Sequence, residues 1–521
     1  MQRARLGIRS AFVNHGVRVL IIAGCLGHLS FARAAACEHL TGLTIPYTEV
    51  SSAISVAAGA FSPATAQDQG GSVASFTVPA FCRIFAVAKP TSDSEIHIEV
   101  WLPVAEAWNG RFLGTGNGGY ASALSYKQMA DALQKGYATA GSDTGHSGGD
   151  LRFGVGHPEK INDWAFRAVH AMTDVAHLMI RSYYGRLAAH SYFWGCSTGG
   201  HQALTEAQRY PDDYDGIISG AAANNRIRQV AGFLWNWRIL HEHGGDSLPA
   251  SKLPLVHNAV IAACDALDGV KDGIISDPRR CKFDPATLVC KGADGADCLT
   301  ESQVAEVKSI YDGAHNPRTG ERIYSGWERG SEFLDNSPIG SWAGYFVGKD
   351  EPARLEVWRS WVFHDPAWDL RSFDFDKDLA FADHVLPQID SMDSDLTRFK
   401  QRHGKLLMYC GWADPVVPPE EGIGYYESVE RATPGTPDFF RLFMVPGMGH
   451  CGGGPGPNTF DPLRTLDRWV SDGTPPDKII ASHLTDGKVD RTRPLCPWPQ
   501  VARFKGSGNS DDAAQFVCKE E

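Results

Sequence analysis

Gly195-Cys196-Ser197-Thr198-Gly199 follows the apolar run Ser191–Trp194 and precedes a stretch of helical character from Gln202 to Arg209. Glycines on both sides permit the tight turn, and such a turn leaves the serine hydroxyl exposed at the end of its strand. Far downstream, Gly449-His450-Cys451 sets a histidine before a cysteine, much as Ser197 stands after Cys196. A nucleophilic serine needs a base within hydrogen-bond reach. If Cys196 and Cys451 are bonded, the disulfide ties the serine backbone to the histidine backbone, one residue from each.

The surrounding chain alternates strand and helix signals. Strand patterns cover Glu95–Leu102, Tyr137–Ala140, Gly216–Ser219, Lys405–Tyr409 and Phe439–Val445, and another begins at Arg111. Asp163 to Tyr184 repeats apolar residues at helical spacing (Trp164, Val169, Met172, Val175, Met179), and Asp461–Ser471 reads as a closing helix. Such alternation implies a mostly parallel sheet covered on both faces. With the serine turn between a strand and a helix, it points to an α/β-hydrolase fold. From about Asn224 to Asp393 the pattern breaks into short segments rich in tryptophan, proline and glycine. This stretch reads as an inserted domain, leaving 35–223 and 394–521 as the catalytic domain.

In this fold the triad runs Ser, then Asp or Glu, then His along the chain. Asp414, in Gly411-Trp412-Ala413-Asp414-Pro415, and His450 each lie just past a predicted strand's C-terminal end, where open α/β sheets place their sites. His450 would take the proton of Ser197, and Asp414 would fix the imidazole tautomer. An aspartate before proline is by itself a common turn residue; order and location favour the catalytic role. The oxyanion needs two preorganised N–H donors. One is the backbone of Thr198, and the other comes from the glycine-rich loop Gly114–Gly119, at Gly119 or Gly118. Asp143 and His146, in a Gly/Ser/Asp loop, read as loop-bracing hydrogen bonders.

The net charge of −12 argues against a nucleic-acid partner. Arg3, Arg5, Arg9 and Arg18 precede the apolar stretch Val19–Leu26, which is too short to span a bilayer. Residues 1–34 therefore read as a signal peptide ending at Ala32-Arg33-Ala34, giving an exported protein, periplasmic or extracellular. Ile22-Ala23-Gly24-Cys25 is the competing exit, a lipobox that would leave a lipid on Cys25. No later run is long and apolar enough for a transmembrane helix. Of the 12 cysteines, 11 remain once Cys25 is removed. Cys410, in an apolar run, is the candidate free thiol. The other ten can form five bridges whose connectivity counting leaves open. Cys264-Asp265-Ala266-Leu267-Asp268-Gly269-Val270-Lys271-Asp272-Gly273-Ile274 resembles a hard-cation loop. It lacks the closing glutamate of an EF-hand, and an acidic solvated turn is the ordinary reading of such a stretch.

These motifs together resemble the tannase and feruloyl esterase family, which also includes mono(2-hydroxyethyl) terephthalate hydrolase. The matching pieces are Gly195–Gly200, Tyr210–Ile217, Cys264–Gly269, Gly411–Asp414, Pro446–Cys451 and Arg493–Pro497, within a resemblance from about Cys37 to Cys518. It implies Ser197, Asp414 and His450 as triad, Thr198 and Gly119 as oxyanion donors, and a lid at 224–393 over the site. It further implies a Cys196–Cys451 bond, with Cys37–Cys82, Cys264–Cys281, Cys290–Cys298 and Cys496–Cys518. The acidic loop becomes a structural calcium site, held by Asp265, Asp268 and Asp272 side chains and the Val270 and Ile274 carbonyls. No organic cofactor is implied.

Two positions depart from the family's pattern. Cys410 stands where relatives often carry histidine, and Val417 where the terephthalate-ester enzyme has phenylalanine. Arg354, Arg359 and Arg371 read as surface charges first and carboxylate clamps second. The resulting expectation is an exported serine esterase acting on small aromatic esters, such as feruloyl or galloyl esters. A terephthalate-type half-ester hydrolase is the first alternative. A non-catalytic binding protein on the same scaffold, whose mark would be a lost triad member, is the second; a peptidase of the same fold is the third.

Overall fold

Apolar residues that alternate between two buried layers make the inner strands of the central sheet. The computed structural model describes residues 36–63, 75–242, 247–334 and 340–520. The leader read at residues 1–34, with both processing sites and Cys25, lies outside them. Nine strands form the sheet: β1 (Thr48–Val56), β2 (Phe81–Ala88), β3 (Ile96–Pro103), β4 (Arg111–Thr115), β5 (Ala138–Ser142), β6 (His190–Cys196), β7 (Gly216–Gly220), β8 (Lys405–Gly411) and β9 (Phe440–Val445). Their spatial order is β1-β2-β3-β5-β4-β6-β7-β8-β9. From β5 to β9 every pairing is parallel. The first three strands pair antiparallel, as do β3 and β5.

Both faces of the parallel strands are buried, as crossover helices require. In β4, Phe112 points into one apolar layer and Leu113 into the other; Phe193 and Tyr192 do the same in β6, and Met408 and Leu407 in β8. The helix Ala168–Tyr184 covers the first face with Met172, Val175 and Met179, and the helix Pro462–Asp472 covers the second with Leu463, Leu466 and Trp469. This is the α/β-hydrolase arrangement. The helix after the serine runs Thr198–Arg209 and so starts four residues before Gln202. Small residues hide its first turn, since Thr198, Gly199 and Gly200 carry no apolar period.

Between β7 and β8 the chain leaves the sheet. The intervening segment carries the helices Arg226–Glu242, Leu253–Cys264, Glu301–Asp312 and Lys377–Val385. Its tryptophans Trp237, Trp327, Trp342, Trp358 and Trp361 are buried in a layer shared with Tyr120, Trp164, Val416 and Val417 from the sheet's own loops. Residues Ala34–Glu521 thus form one compact unit. Five disulfides fasten it: Cys37–Cys82, Cys196–Cys451, Cys264–Cys281, Cys290–Cys298 and Cys496–Cys518, with Cys410 free and buried. No helix among the described residues is long and apolar enough to cross a membrane.

Candidate active site

The C-terminal ends of β4, β6, β8 and β9 open onto one edge of the sheet, and each feeds a loop carrying a predicted site residue. Ser197 sits between β6 and the helix Thr198–Arg209 with φ 62° and ψ −116°. A non-glycine residue in such a conformation is strained, and it persists when the surroundings fix it. Here the Ser197 N–H donates to the Gly220 carbonyl at 2.9 Å, and its own carbonyl accepts from His201 at 3.0 Å and Ala223 at 3.2 Å. The turn has no room to relax. A Cβ on Gly195 would lie 2.4 Å from the Gly199 carbonyl carbon, and one on Gly200 would lie 2.3 Å from the Gly220 oxygen.

His450 and Asp414 meet across the loops that follow β9 and β8. Nδ1 of His450 lies 2.8 Å from Oδ2 of Asp414, and both side chains are buried. An ionised carboxylate offers only acceptors, so Nδ1 carries the proton and Nε2 is left with its lone pair. The second carboxylate oxygen, Oδ1, accepts from the backbone N–H of Val416 at 2.7 Å and Val417 at 3.0 Å. Those two bonds orient the carboxylate before substrate arrives. The Cys196–Cys451 disulfide, with Cα atoms 5.9 Å apart, joins the residue before Ser197 to the residue after His450. Cys410 lies under the Asp414 loop, and burial pushes its thiol up to about 12, so it stays protonated and unreactive.

Ser197, His450, Cys196 and Cys451 line one wall of a cavity of about 430 Å³. Gly118, Gly119 and Tyr120, from the loop after β4, form another, and Phe233, Tyr345 and Arg354 of the insertion close it. Among the described residues, neither Thr198 nor Gly119 donates its backbone N–H to a protein acceptor outside its own helix or strand. Gly119 has φ +56°, which a side chain would strain. Asp143 and His146 brace their loop: Asp143 accepts from the backbone N–H of His97 and Gly145, and His146 Nε2 lies 2.8 Å from the Tyr120 carbonyl. Burial lowers the His146 pKa and keeps that ring neutral.

Two arginines reach the cavity. Arg354, which reads as a surface charge, lines the cavity, whereas Arg359 is bound to Glu351 at 2.7 Å. Arg226 carries no motif, and nothing in the sequence separates it from Arg228 two residues on in the same helix. Gln229, Phe233, Tyr345 and Val416 complete the wall and have no motif to mark them.

The acidic loop lies apart from the cavity, bracketed by Cys264–Cys281. Oδ1 of Asp265 accepts from the backbone N–H of Asp272, Gly273 and Ile274, and Oδ1 of Asp268 from that of Val270. Asp272 pairs with Arg493. Burial raises the Asp272 pKa, Arg493 and Arg491 lower it, and the charges of Asp268 and Asp265 raise it further. The three carboxylates offer the oxygen donors that a hard cation takes, with Asp272 also bound to Arg493. Cys290, Asp294 and Cys298 crowd more tightly, within 4.8 Å, but the two sulfurs are bonded to each other and are not thiolate ligands.

Residues 82–519 match the family described as tannase and feruloyl esterase. An uncharacterized esterase of Xanthomonas campestris is 39% identical over 97% of this chain and 95% of its own length. Mono(2-hydroxyethyl) terephthalate hydrolase of Piscinibacter sakaiensis is 33% identical, covering 85% of each chain. The crystal structure of feruloyl esterase B from Aspergillus oryzae superposes with a TM-score of 0.85 at 30% identity, over 93% of this chain and 99% of that one.

Proposed function

Because the chain belongs to the tannase and feruloyl esterase family, and is a carboxylic ester hydrolase, we propose that it cleaves esters of aromatic, chiefly phenolic, carboxylic acids through a serine acyl-enzyme. The observation that carries this reading is that His450, held by the buried Asp414, lines the same cavity as the strained Ser197. Oγ of Ser197 attacks the ester carbonyl while Nε2 of His450 takes its proton. The N–H groups of Thr198 and Gly119 hold the oxyanion, and His450 returns the proton to the departing alcohol. Water, activated by the same imidazole, then releases the acid and restores Ser197.

Hydrolysis of a terephthalate-type half-ester is the second reading. A relative of that activity is 33% identical, and two arginines reach the cavity. Residues 224–393 act as the lid that shapes the acyl pocket, and Asp265, Asp268 and Asp272, with the carbonyls of Val270 and Ile274, hold a structural calcium. Five disulfides favour export to an oxidising compartment. The test is hydrolysis of methyl ferulate, methyl gallate, chlorogenate and mono(2-hydroxyethyl) terephthalate, with Ser197→Ala beside the unsubstituted protein. Turnover of at least one, abolished by the substitution, is expected. Turnover that survives Ser197→Ala would remove the serine from the mechanism.

A further inference from the structure

Arg226 is only 4% exposed, yet it lies where a positive charge is least welcome. It opens the helix Arg226–Glu242, and its Nη2 donates at 2.9 Å to Oγ1 of Thr198, which opens the helix Thr198–Arg209. The N-terminus of a helix is already positive, and the guanidinium adds its charge to two such ends. No acid is set against it. Nη1 donates to Gln229 Oε1 at 3.3 Å, and Nε has no acceptor. Asp390 is engaged elsewhere: Oδ1 accepts from the backbone N–H of Arg226 and Ile227, and Oδ2 faces Arg228 at 3.9 Å. Arg228, two residues on, has both oxygens of Asp383 as partners. A buried cation left without a counter-ion destabilises the fold that holds it.

The same guanidinium reaches both halves of the predicted oxyanion hole. On one side it bonds the side chain of Thr198. On the other its carbon lies 5.2 Å from the centre of the ring of Tyr120, the residue after Gly119. Tyr120 is stacked on Trp164, with ring centres 4.6 Å apart and planes inclined by 14°, and the guanidinium carbon is 5.4 Å from the Trp164 ring as well. A cation over aromatic faces is attracted to them, so the two rings hold Arg226 in place without neutralising it. Arg226 also lines the cavity that Ser197 and His450 share.

We infer that Arg226 is a positioning residue of the ester-cleaving site, which joins the two halves of the oxyanion hole and opposes the negative charge that forms between them. The inference rests on the reading of this cavity as the site of a serine esterase and deepens it. When Oγ of Ser197 bonds to the carbonyl carbon, its proton passes to His450 and the carbonyl π pair moves onto the oxygen. That charge persists until the pair re-forms the double bond and the C–O bond to the alcohol breaks, with the proton of His450 going to the alcohol. Deacylation repeats the cycle with water as the attacking group and Oγ of Ser197 as the leaving one. Only in these two steps does the site hold the anion that Arg226 otherwise lacks. An interaction made in the transition state and not before is one that accelerates the reaction, and a charge already fixed in place needs no reorganisation to make it.

The test uses the full-length, disulfide-intact protein, unsubstituted and with Arg226→Met or Arg226→Gln. Hydrolysis of p-nitrophenyl acetate is measured with two inhibitors of similar shape. Phenylboronic acid becomes a tetrahedral anion when a serine oxygen bonds its boron, whereas benzamide stays planar and neutral. Each substitution should lower kcat/KM by roughly tenfold to a hundredfold and raise the Ki of phenylboronic acid by a similar factor. The Ki of benzamide should move by less than about twofold, because the neutral ground state gains nothing from the charge. Tm should hold or rise, since a buried unpaired cation is removed. If Arg226→Met does not fold, Arg226→Gln decides on the same ratio of inhibitors. Equal weakening of both inhibitors would show an arginine that only shapes the wall, and overturns the inference; so does an unchanged kcat/KM. Ser197→Ala tells these failures apart from failure of the esterase reading. Hydrolysis that survives Ser197→Ala removes the serine mechanism and the role of Arg226 with it, as does an unsubstituted protein that neither cleaves the ester nor binds the boronic acid. Hydrolysis that needs Ser197 and is indifferent to Arg226 leaves the esterase reading standing alone.

Discussion

The two carboxylate oxygens of Asp414 play different parts, since Oδ1 is fixed by two backbone N–H groups and Oδ2 sets the tautomer of His450. Asp414→Asn keeps the shape and reverses the tautomer preference, so kcat should fall by roughly 10³ to 10⁴ with little change in Tm; steady-state kinetics and calorimetry check it. A second prediction concerns a carboxyl outside the cavity wall. Burial, with the charge of Glu420 beside it, pushes the Glu328 pKa up to about 8 from an ordinary 4.5. The folded value lies above the unfolded one, so stability is full below the unfolded value and is lost as pH rises toward the folded one. Glu328→Gln should therefore change Tm little near pH 5 and raise it by a few degrees near pH 9. Equal shifts at both pH values would count against it. The triad candidates are legible in the sequence because catalysis imposes chain order and strand-end placement. Arg226 is not, since its burial depends on Tyr120 and Trp164 arriving from distant parts of the chain.

Among the elements, the serine turn is fixed from two sides: by glycines that admit close backbone approach, and by the Cys196–Cys451 bond. Cys196→Ser with Cys451→Ser should lower kcat by roughly tenfold to a hundredfold, because small displacements of reacting groups are costly. The protein should remain folded at ambient temperature, as its circular dichroism would show. Unchanged turnover with the bond shown absent would refute the positioning role. The acidic loop gives the next prediction. Chelation should lower Tm by several degrees and calcium should restore it, since binding to the native state alone stabilises that state. Asp268→Asn should blunt the response.

Parallel strands such as β8 are legible because burial on both faces leaves continuous apolar runs. β1 is not: at the sheet edge only Ala53 of its nine residues is buried, so Thr48–Val56 carries almost no hydrophobic signal. The apolar spacing starts the helix at Asp163, whereas helical backbone begins at Pro158 and passes through the π-helical turn Asp163–Arg167 into Ala168–Tyr184.

For the molecule as a whole, the tryptophans of the insertion and the loops of the sheet share one apolar layer. Heat or denaturant should therefore unfold residues 34–521 in one transition, with tryptophan fluorescence and far-ultraviolet circular dichroism coinciding. Two separated transitions would mean that the insertion melts on its own. The segment between β7 and β8 reads as a break in strand–helix alternation; its continuity with the sheet is not legible, because tryptophan content reports burial without saying against what.

The bond between Cys196 and Cys451 also closes a ring of chain, with a sequence separation of 255 residues, around everything that lies between β6 and the loop after β9. A protease that cuts once inside that ring cannot release a fragment. The nicked molecule would travel as a single species on a non-reducing gel and part into two only when a thiol is added.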